Sequence, residues 1–140
     1  NVLINLSQPK LPIVTSIDAT LINQALTNIL KNAGESIETR MQDPSASNQD
    51  GVIEVLLKNE PDIVVLNISD NGVGLPQDRS RLFEPYVTTR DKGTGLGLAI
   101  VKKIIEEHGG VLKLEDSAPF ENTGIIGALI SIEIPKSKNF

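Results

Sequence analysis

The chain has 140 residues, of which 39% are hydrophobic and 22% charged, enough apolar side chain for the core of one folded domain and too little charge for a disordered chain. A formal net charge of −5 disfavours a nucleic-acid binder that relies on a basic face. Cysteine is absent and His108 is the single histidine, which excludes a disulfide framework, thiolate chemistry and multi-histidine metal sites.

The chain opens with short apolar stretches. Residues 2–6 and 11–16 are rich in β-branched side chains, are split by Pro9 and Pro12, and are predicted to form strands or edge segments. No run approaches the roughly 20 apolar residues that span a bilayer. The first residues include no methionine and no basic segment ahead of an apolar one, so we expect the chain to begin inside a longer protein.

A long amphipathic helix is predicted next. From Asp18, the predicted N-cap, apolar residues recur every three or four positions, and the helix ends before Pro44. The runs 52–58 and 63–69 follow, separated by four turn-forming residues, and together they predict an antiparallel hairpin.

The second half of the chain mixes polar and periodic segments. Residues 77–90 are mostly polar and are expected to form a short helix and an irregular loop. A helix is predicted from about residue 95 to the glycine pair 109–110, followed by strands over 111–115 and 125–134. This order of elements predicts an α+β domain with helices layered on one face of a mixed sheet.

The first polar motif lies on the long helix. Asn28 and Asn32 are one helical turn apart on the same face, and Gln24 extends the stripe. Amide oxygens are suitable hard ligands for Mg²⁺, which commonly keeps water and substrate phosphates in its shell. The alternative, favoured on these residues alone, is a polar stripe that faces solvent.

The second motif follows a predicted strand. Asp70 stands at the strand end before Asn71, and Gly72 and Gly74 allow a ligand to approach the backbone closely. The carboxylate could accept a hydrogen bond from an exocyclic amine, beside a flat ring. The alternative is an ordinary Asx turn and a flexible loop.

The third motif, residues 93–98, has three alternating glycines where a helix begins, which favours a phosphate site. Leu98 stands where the dinucleotide fingerprint needs glycine, and the Lys-Ser/Thr ending of a P-loop is absent. Two threonines and two cations lie just upstream and could fold over phosphates as a lid. The alternative is a disordered polar loop.

The motifs in this order resemble the catalytic, ATP-binding domain of the sensor histidine kinases, a branch of the ATPases that includes gyrase and the heat-shock chaperones. Residues 24–33 resemble the N box, 70–74 the first glycine box, 82–86 the F box and 93–98 the second glycine box. More narrowly, residues 84–103 are similar to the nitrogen-regulation sensor kinases.

The resemblance implies a Bergerat-type two-layer α/β sandwich, with a mixed, mostly antiparallel sheet and about three helices on one face. It also implies ATP and Mg²⁺ as ligands. Asp70 would accept a hydrogen bond from the adenine amino group, with Gly72 and Gly74 lining the base pocket. Asn32, assisted by Asn28, would hold Mg²⁺.

The same resemblance assigns the phosphate end of the site to the third motif. Residues 88–94 would form the ATP lid, with Phe83 and Tyr86 at its hinge, and Arg90 or Lys92 would reach the terminal phosphates. The nucleotide-site residues implied in this stretch are Tyr86, Thr88, Thr89, Arg90, Lys92, Gly93, Thr94, Gly95, Leu96, Gly97 and Leu98.

The residue type at position 28 distinguishes family members that transfer phosphate from those that hydrolyse ATP. Related ATPases that hydrolyse ATP have a glutamate base one turn before the Mg²⁺ asparagine, and an asparagine cannot abstract a proton. The resemblance therefore favours phosphoryl transfer, with catalytic roles for Asn28, Arg90 and Lys92. Ala128 follows Gly127 where the family often has threonine, so fewer adenine contacts are expected there.

The phosphoacceptor histidine is expected on a segment outside these residues. His108 lies at a helix end, where a cation complements the helix dipole, which favours a structural role. Residues 1–140 would thus be one catalytic domain that binds ATP without autophosphorylating. The implied partners are its own dimerisation and phosphoacceptor domain and a response regulator, in a homodimeric parent anchored in the bacterial inner membrane with this domain in the cytoplasm.

Two other functions remain open at this point. An anti-sigma-type protein serine kinase shares the fold and transfers phosphate to a separate protein. A nucleotide-free interaction module is the other alternative, and the complete set of glycines and asparagines argues against it.

Overall fold

A five-stranded sheet with two α-helices packed on it forms the part of the chain that the computed structural model describes, residues 2–45, 49–79, 82–84, 97–121 and 123–136. The elements in chain order are β1 (Val2–Ser7), α1 (Ala19–Met41), β2 (Gly51–Asn59), β3 (Ile63–Asp70), α2 (Gly97–Glu107), β4 (Val111–Asp116) and β5 (Ala128–Pro135). The strand order is β1-β2-β3-β5-β4, with β1 parallel to β2 and the other pairs antiparallel. The predicted α+β class is confirmed, with two helices in the described ranges where about three were expected.

The core lies between the helices and the sheet. Ile29 and Ile37 of α1, Val101 and Ile105 of α2, and Ile132 of β5 are each no more than 2% exposed. Three- and four-residue spacing places the apolar residues of each helix on one side, so burial of these stripes holds α1 and α2 against the sheet and against each other.

The ends of both helices agree with the prediction. The Asp18 carboxylate accepts the N–H of Leu21 at 3.1 Å, which caps the start of α1. At the end of α2, Gly109 has φ 72° and the Gly110 N–H donates to the Ile105 carbonyl at 2.9 Å. A left-handed residue at this position ends the helix, as the glycine pair predicts.

The predicted hairpin is confirmed and places the second polar motif. In the β2–β3 ladder Ile53 faces Asp70, and in the β3–β5 ladder Asp70 faces Ala128. Asp70 is thus the last residue of a central strand with neighbours on both sides. Its side chain lies on the same face as the helices, next to α1.

The strand predicted over residues 11–16 is wrong. Residues 8–18 belong to no ladder, and Leu11 and Val14 are 79% and 86% exposed. Prolines at positions 9 and 12 have no N–H to donate, so the segment cannot continue the pairing of β1.

Two other boundaries differ from the prediction. Residues 77–79 are not helical and 82–84 form a turn, while the remainder of the short helix and loop expected over 77–90 lies outside the described residues. The last strand begins at Ala128, because Gly127 pairs with Ser117 and the Ile125 carbonyl accepts the Phe120 N–H at 2.9 Å.

Neither α1 nor α2, the helices of the described part of the chain, combines the length and the apolar character that a membrane span requires.

Candidate functional site

A pocket lies where the end of β3 meets both helices. It brings Asp70 of the second motif next to Asn32 of the first and Leu98 of the third, although these residues are far apart in sequence. The pocket has a volume of about 50 Å³ and is lined by Asn32, Ala33, Ser36, Asp70, Gly74, Leu75, Leu98, Leu114, Ala128 and Ile130. Polar side chains from α1 and from the end of β3 therefore face apolar walls, the usual composition of a small-molecule site.

A larger cavity of about 230 Å³ lies beside β2, lined by residues 8–13 and Leu57. It contains none of the predicted site residues, and Lys10 is the only charged residue of its lining. We place the functional site at the smaller pocket, because residues from all three predicted motifs line it.

Asp70 combines the two alternatives that its sequence left open. The side chain is 6% exposed, lines the pocket, and accepts the Gly72 N–H at 2.9 Å through Oδ1. This hydrogen bond closes an Asx turn. The turn holds the carboxylate in one orientation. It is compatible with a role in ligand binding, because the carboxylate still lines the pocket.

The glycines of the second motif have different surroundings. Gly74 lines the pocket with φ 81°, a conformation that side chains other than glycine rarely adopt. Gly72 instead lies against α1, where an added Cβ would come within 2.2 Å of the Ser36 hydroxyl. Its proposed place in the base pocket is therefore indirect, through close contact of the loop with α1.

Asn28 and Asn32 are half-buried, so the stripe does not simply face solvent, although Gln24 at its start is exposed. Asn32 lines the pocket at the start of α2, where an added Cβ at Gly97 would lie 3.5 Å from its Nδ2. Asn28 is one turn away and outside the lining. The described residues contain no cluster of three His, Cys, Asp or Glu side chains. Asn32 offers the pocket an amide oxygen, a hard ligand of the kind that Mg²⁺ takes.

Part of the third motif is described. Gly97 and Leu98 form the first turn of α2, whose N-terminus opens beside Asn32. The ammonium of Lys102 lies 5.1 Å from the centre of the Phe83 ring, which attaches the 82–84 turn to α2. The other predicted residues lie outside the described ranges: Tyr86, Thr88, Thr89, Arg90, Lys92, Gly93, Thr94, Gly95 and Leu96.

A match to a family model covers residues 17–138 and bears the description "Histidine kinase-, DNA gyrase B-, and HSP90-like ATPase". The chain belongs to this ATPase family. The matched region includes α1, the pocket and every strand after β1, so the family assignment and the geometry concern the same residues.

Relatives identify the branch. The chain is 52% identical over 122 residues to the nitrogen regulation protein NtrY of Azorhizobium caulinodans, covering 86% of this chain and 15% of the relative. It is 40% identical over 117 residues to the sensory histidine kinase/phosphatase NtrB of Azospirillum brasilense, covering 79% and 29%. The predicted likeness to the nitrogen-regulation sensor kinases is confirmed, and the chain spans less than a third of either relative.

Solved structures agree with the family. The mycobacterial sensor histidine kinase MprB matches with a TM-score of 0.73 at 27% identity, over 99% of this chain and 83% of that one. The nucleotide-free catalytic domain of histidine kinase ThkA matches with a TM-score of 0.71 at 30% identity, over 99% and 81%. The fold is that of a histidine kinase ATPase domain.

Sequence reasoning missed several residues that shape the site of this kinase-type domain. Ser117 donates its N–H to the Gly127 carbonyl, and its hydroxyl accepts the Gly127 N–H at 2.8 Å. Gly127 in turn touches the backbone of Asp70, where no Cβ would fit. Ser36 was also missed, although it continues the four-residue spacing of Asn28 and Asn32, which is the signal that could have identified it.

His108 has a structural place in this histidine kinase domain. Its Nδ1 lies 2.8 Å from the Ile104 carbonyl, and its Nε2 accepts the Asp18 N–H at 3.0 Å. The ring ties the end of α2 to the start of α1.

We expect His108→Ala to lower the free energy of unfolding by about 1–2 kcal/mol, because two hydrogen bonds are lost: one to the Ile104 carbonyl within α2 and one from the Asp18 N–H at the start of α1. ATP affinity should stay within about twofold, since the ring lies outside the pocket lining. Urea denaturation and a nucleotide titration of the same variant measure both quantities. Unchanged stability would contradict the structural role, and a large loss of affinity would place His108 in the nucleotide site.

Proposed function

We propose that the chain is the catalytic ATP-binding domain of an NtrY-like sensor histidine kinase, and that it binds Mg·ATP and donates the γ-phosphoryl group to a histidine on another domain. The observation that carries this proposal is the convergence of Asp70, Asn32 and the start of α2 on one pocket. These groups match the three chemical parts of Mg·ATP: an exocyclic amine, a hard cation and phosphates.

Base recognition rests on Asp70 and the apolar walls of the pocket. The carboxylate accepts a hydrogen bond from the adenine amino group, and its orientation is fixed by the Gly72 N–H. Leu114 and Ile130 offer a flat ring an apolar surface. Ala128, opposite Asp70 in the ladder, supplies no hydroxyl at this end of the pocket, so Asp70 carries most of the polar selectivity.

The phosphate end lies along the two helices. Asn32, with Asn28 one turn earlier, holds Mg²⁺ by its amide oxygen, and the cation supplies charge neutralisation on the phosphates. The N-terminus of α2 at Gly97 and Leu98 directs N–H groups and the positive end of the helix dipole toward the phosphates.

The lid completes this end of the site. Residues 88–94 close over the nucleotide, and their hydroxyls and cations contact the terminal phosphates. The amides that begin α2 cradle the phosphate chain. The residues to which these roles are assigned are Thr88, Thr89, Arg90, Lys92, Gly93, Thr94, Gly95 and Leu96, and Tyr86 is assigned to the hinge of the lid.

Phosphoryl transfer in this site depends on positioning and on charge, and it requires no base in the pocket. Asn28 occupies the place of a hydrolytic glutamate and cannot activate water, so the phosphoryl group is reserved for an incoming imidazole. The acceptor histidine lies on the dimerisation domain, from which an NtrX-like response regulator receives the group on an aspartate.

The proposal extends to the parent protein. The parent is a homodimer anchored in the bacterial inner membrane, and residues 1–140 are one domain on its cytoplasmic side. The 52% identity to NtrY supports this assignment over an anti-sigma-type serine kinase or a nucleotide-free interaction module.

A phosphotransfer assay in trans tests the proposal. The domain is incubated with Mg²⁺, ATP labelled at the γ-phosphate and the separately purified dimerisation hairpin of an NtrY-like kinase. We expect acid-labile label on the hairpin, none on the domain alone, and none when the hairpin histidine is replaced by glutamine. Label on His108, or release of free phosphate faster than transfer, would contradict the proposed chemistry.

A further inference from the structure

The polar stripe of α1 continues beyond the proposed Mg²⁺ residues and turns into the protein. After Asn28 and Asn32, Ser36 and Arg40 follow at the same four-residue spacing and so share one helix face. Ser36 is 3% exposed and Arg40 6% exposed. A buried arginine is expensive unless its donors are satisfied, so its partners indicate why it is there.

Arg40 attaches α1 to the residue that follows Asp70. Its Nε donates to the Asn71 carbonyl at 2.6 Å, and its Nη2 lies 3.1 Å from the Gln49 carbonyl and 3.3 Å from the Asp50 carbonyl. A planar guanidinium directs these donors in a fixed fork. One side chain therefore fixes the loop after β3 relative to the segment that begins β2.

Asn71 is held at every polar atom. It is 1% exposed, its N–H donates to the Val52 carbonyl at 3.2 Å and its Oδ1 accepts the Val52 N–H at 2.8 Å. Its Nδ2 donates to the Asp50 carbonyl at 2.8 Å, and its own carbonyl receives Arg40. Such a residue cannot rotate without breaking several buried hydrogen bonds.

Ser36 fixes the loop on the next residues. Its hydroxyl accepts the Val73 N–H at 3.0 Å, and Gly72 lies against it too closely for a Cβ. Asp70 is thus followed by three residues that contact α1 or β2, and Gly72 among them donates to the Asp70 carboxylate.

We propose that Arg40 is a positioning residue for base recognition: through Asn71 it holds the Asp70 carboxylate in the orientation that receives the exocyclic amine of the nucleotide. This inference rests on the proposed function, because Asp70 must first be the base acceptor. Arg40 is outside the pocket lining and acts on the nucleotide only through this loop. The same stripe of α1 thereby holds the cation and orients the carboxylate that receives the base.

Binding of two nucleotides to Arg40→Lys tests the proposal. Lysine keeps the charge but not the fork, so the Asn71 carbonyl loses its fixed partner. We expect Mg·ATP affinity to fall about 3- to 10-fold, part of the worth of a charged hydrogen bond. The affinity for purine riboside triphosphate, which lacks the 6-amino group, should change less than about twofold, and Lys31→Gln on the exposed face of α1 should change neither.

A double variant tests whether Arg40 acts through Asp70. In Asp70→Asn, addition of Arg40→Lys should cause no further loss of ATP affinity, because the carboxylate through which Arg40 acts is absent. Equal losses for both nucleotides, additive losses in the double variant, or an unchanged ATP affinity would each overturn the inference.

Folding failure is handled by a milder variant. If Arg40→Lys does not fold, Arg40→Gln, which keeps an N–H donor but neither the charge nor the fork, is expected to give the same selective loss, with equal or absent losses overturning the inference. A wild-type domain that binds neither nucleotide refutes the proposed function itself. A wild type that prefers ATP, with an Arg40 variant that keeps this preference, refutes only the role of Arg40.

Discussion

Asp70→Asn is expected to lower the affinity of the domain for Mg·ATP by about 10- to 100-fold, the worth of a hydrogen bond to a charged acceptor. The amide oxygen of asparagine can still accept the Gly72 N–H, so the turn persists and the free energy of unfolding changes little. Titration calorimetry measures the affinity, and a thermal melt of the same samples measures the fold.

The control for this variant is Asp62→Asn, in the exposed turn between β2 and β3, where the same chemical change lies far from the pocket. It should leave the affinity unchanged. Equal affinities for Asp70→Asn and wild type would remove Asp70 from base recognition. Loss of the folded state would show that the buried carboxylate serves stability instead.

Gly127→Ala is expected to lower the free energy of unfolding by about 3 kcal/mol or more and to weaken ATP binding by more than about tenfold. The added Cβ would lie 1.8 Å from the Asp70 carbonyl oxygen, a backbone atom that can move only with the end of β3. Urea denaturation and calorimetry report the two effects, which share one cause because the displaced residue is the proposed base acceptor.

Gly34→Ala is the matched control. Gly34 lies within α1, and an added Cβ there meets nothing within 4 Å. Alanine should stabilise the helix by about 0.5–1 kcal/mol without altering nucleotide affinity. If both alanine variants proved equally stable, the close approach of Gly127 to Asp70 would be contradicted.

Local signals in the sequence were sufficient for much of the fold. The periodic apolar residues and the N-cap at Asp18 predicted α1, and the glycine pair predicted the end of α2. They failed at residues 11–16, where β-branched side chains favour a strand but two prolines and the lack of a partner prevent one. Whether a segment forms a strand depends on a neighbouring strand to pair with, and the sequence of the segment alone does not show whether one is present.

The site could be predicted only in part for a similar reason. The spacing of Asn28 and Asn32 showed which side chains share a face, but not which loop that face meets. The bond from Arg40 to Asn71 joins residues 31 positions apart, and the contact of Gly127 with Asp70 joins the residue before β5 to the end of β3. These contacts arise from strand order and register, and no motif within one segment encodes them.

Every role proposed for this domain requires that it bind Mg·ATP in the pocket between β3 and the two helices. Calorimetric titration of the wild-type domain with a non-hydrolysable ATP analogue, with Mg²⁺ and then with the metal chelated, tests it most directly. We predict one site per chain, with affinity that falls markedly when Mg²⁺ is removed. An absence of binding in the presence of Mg²⁺ would contradict the account.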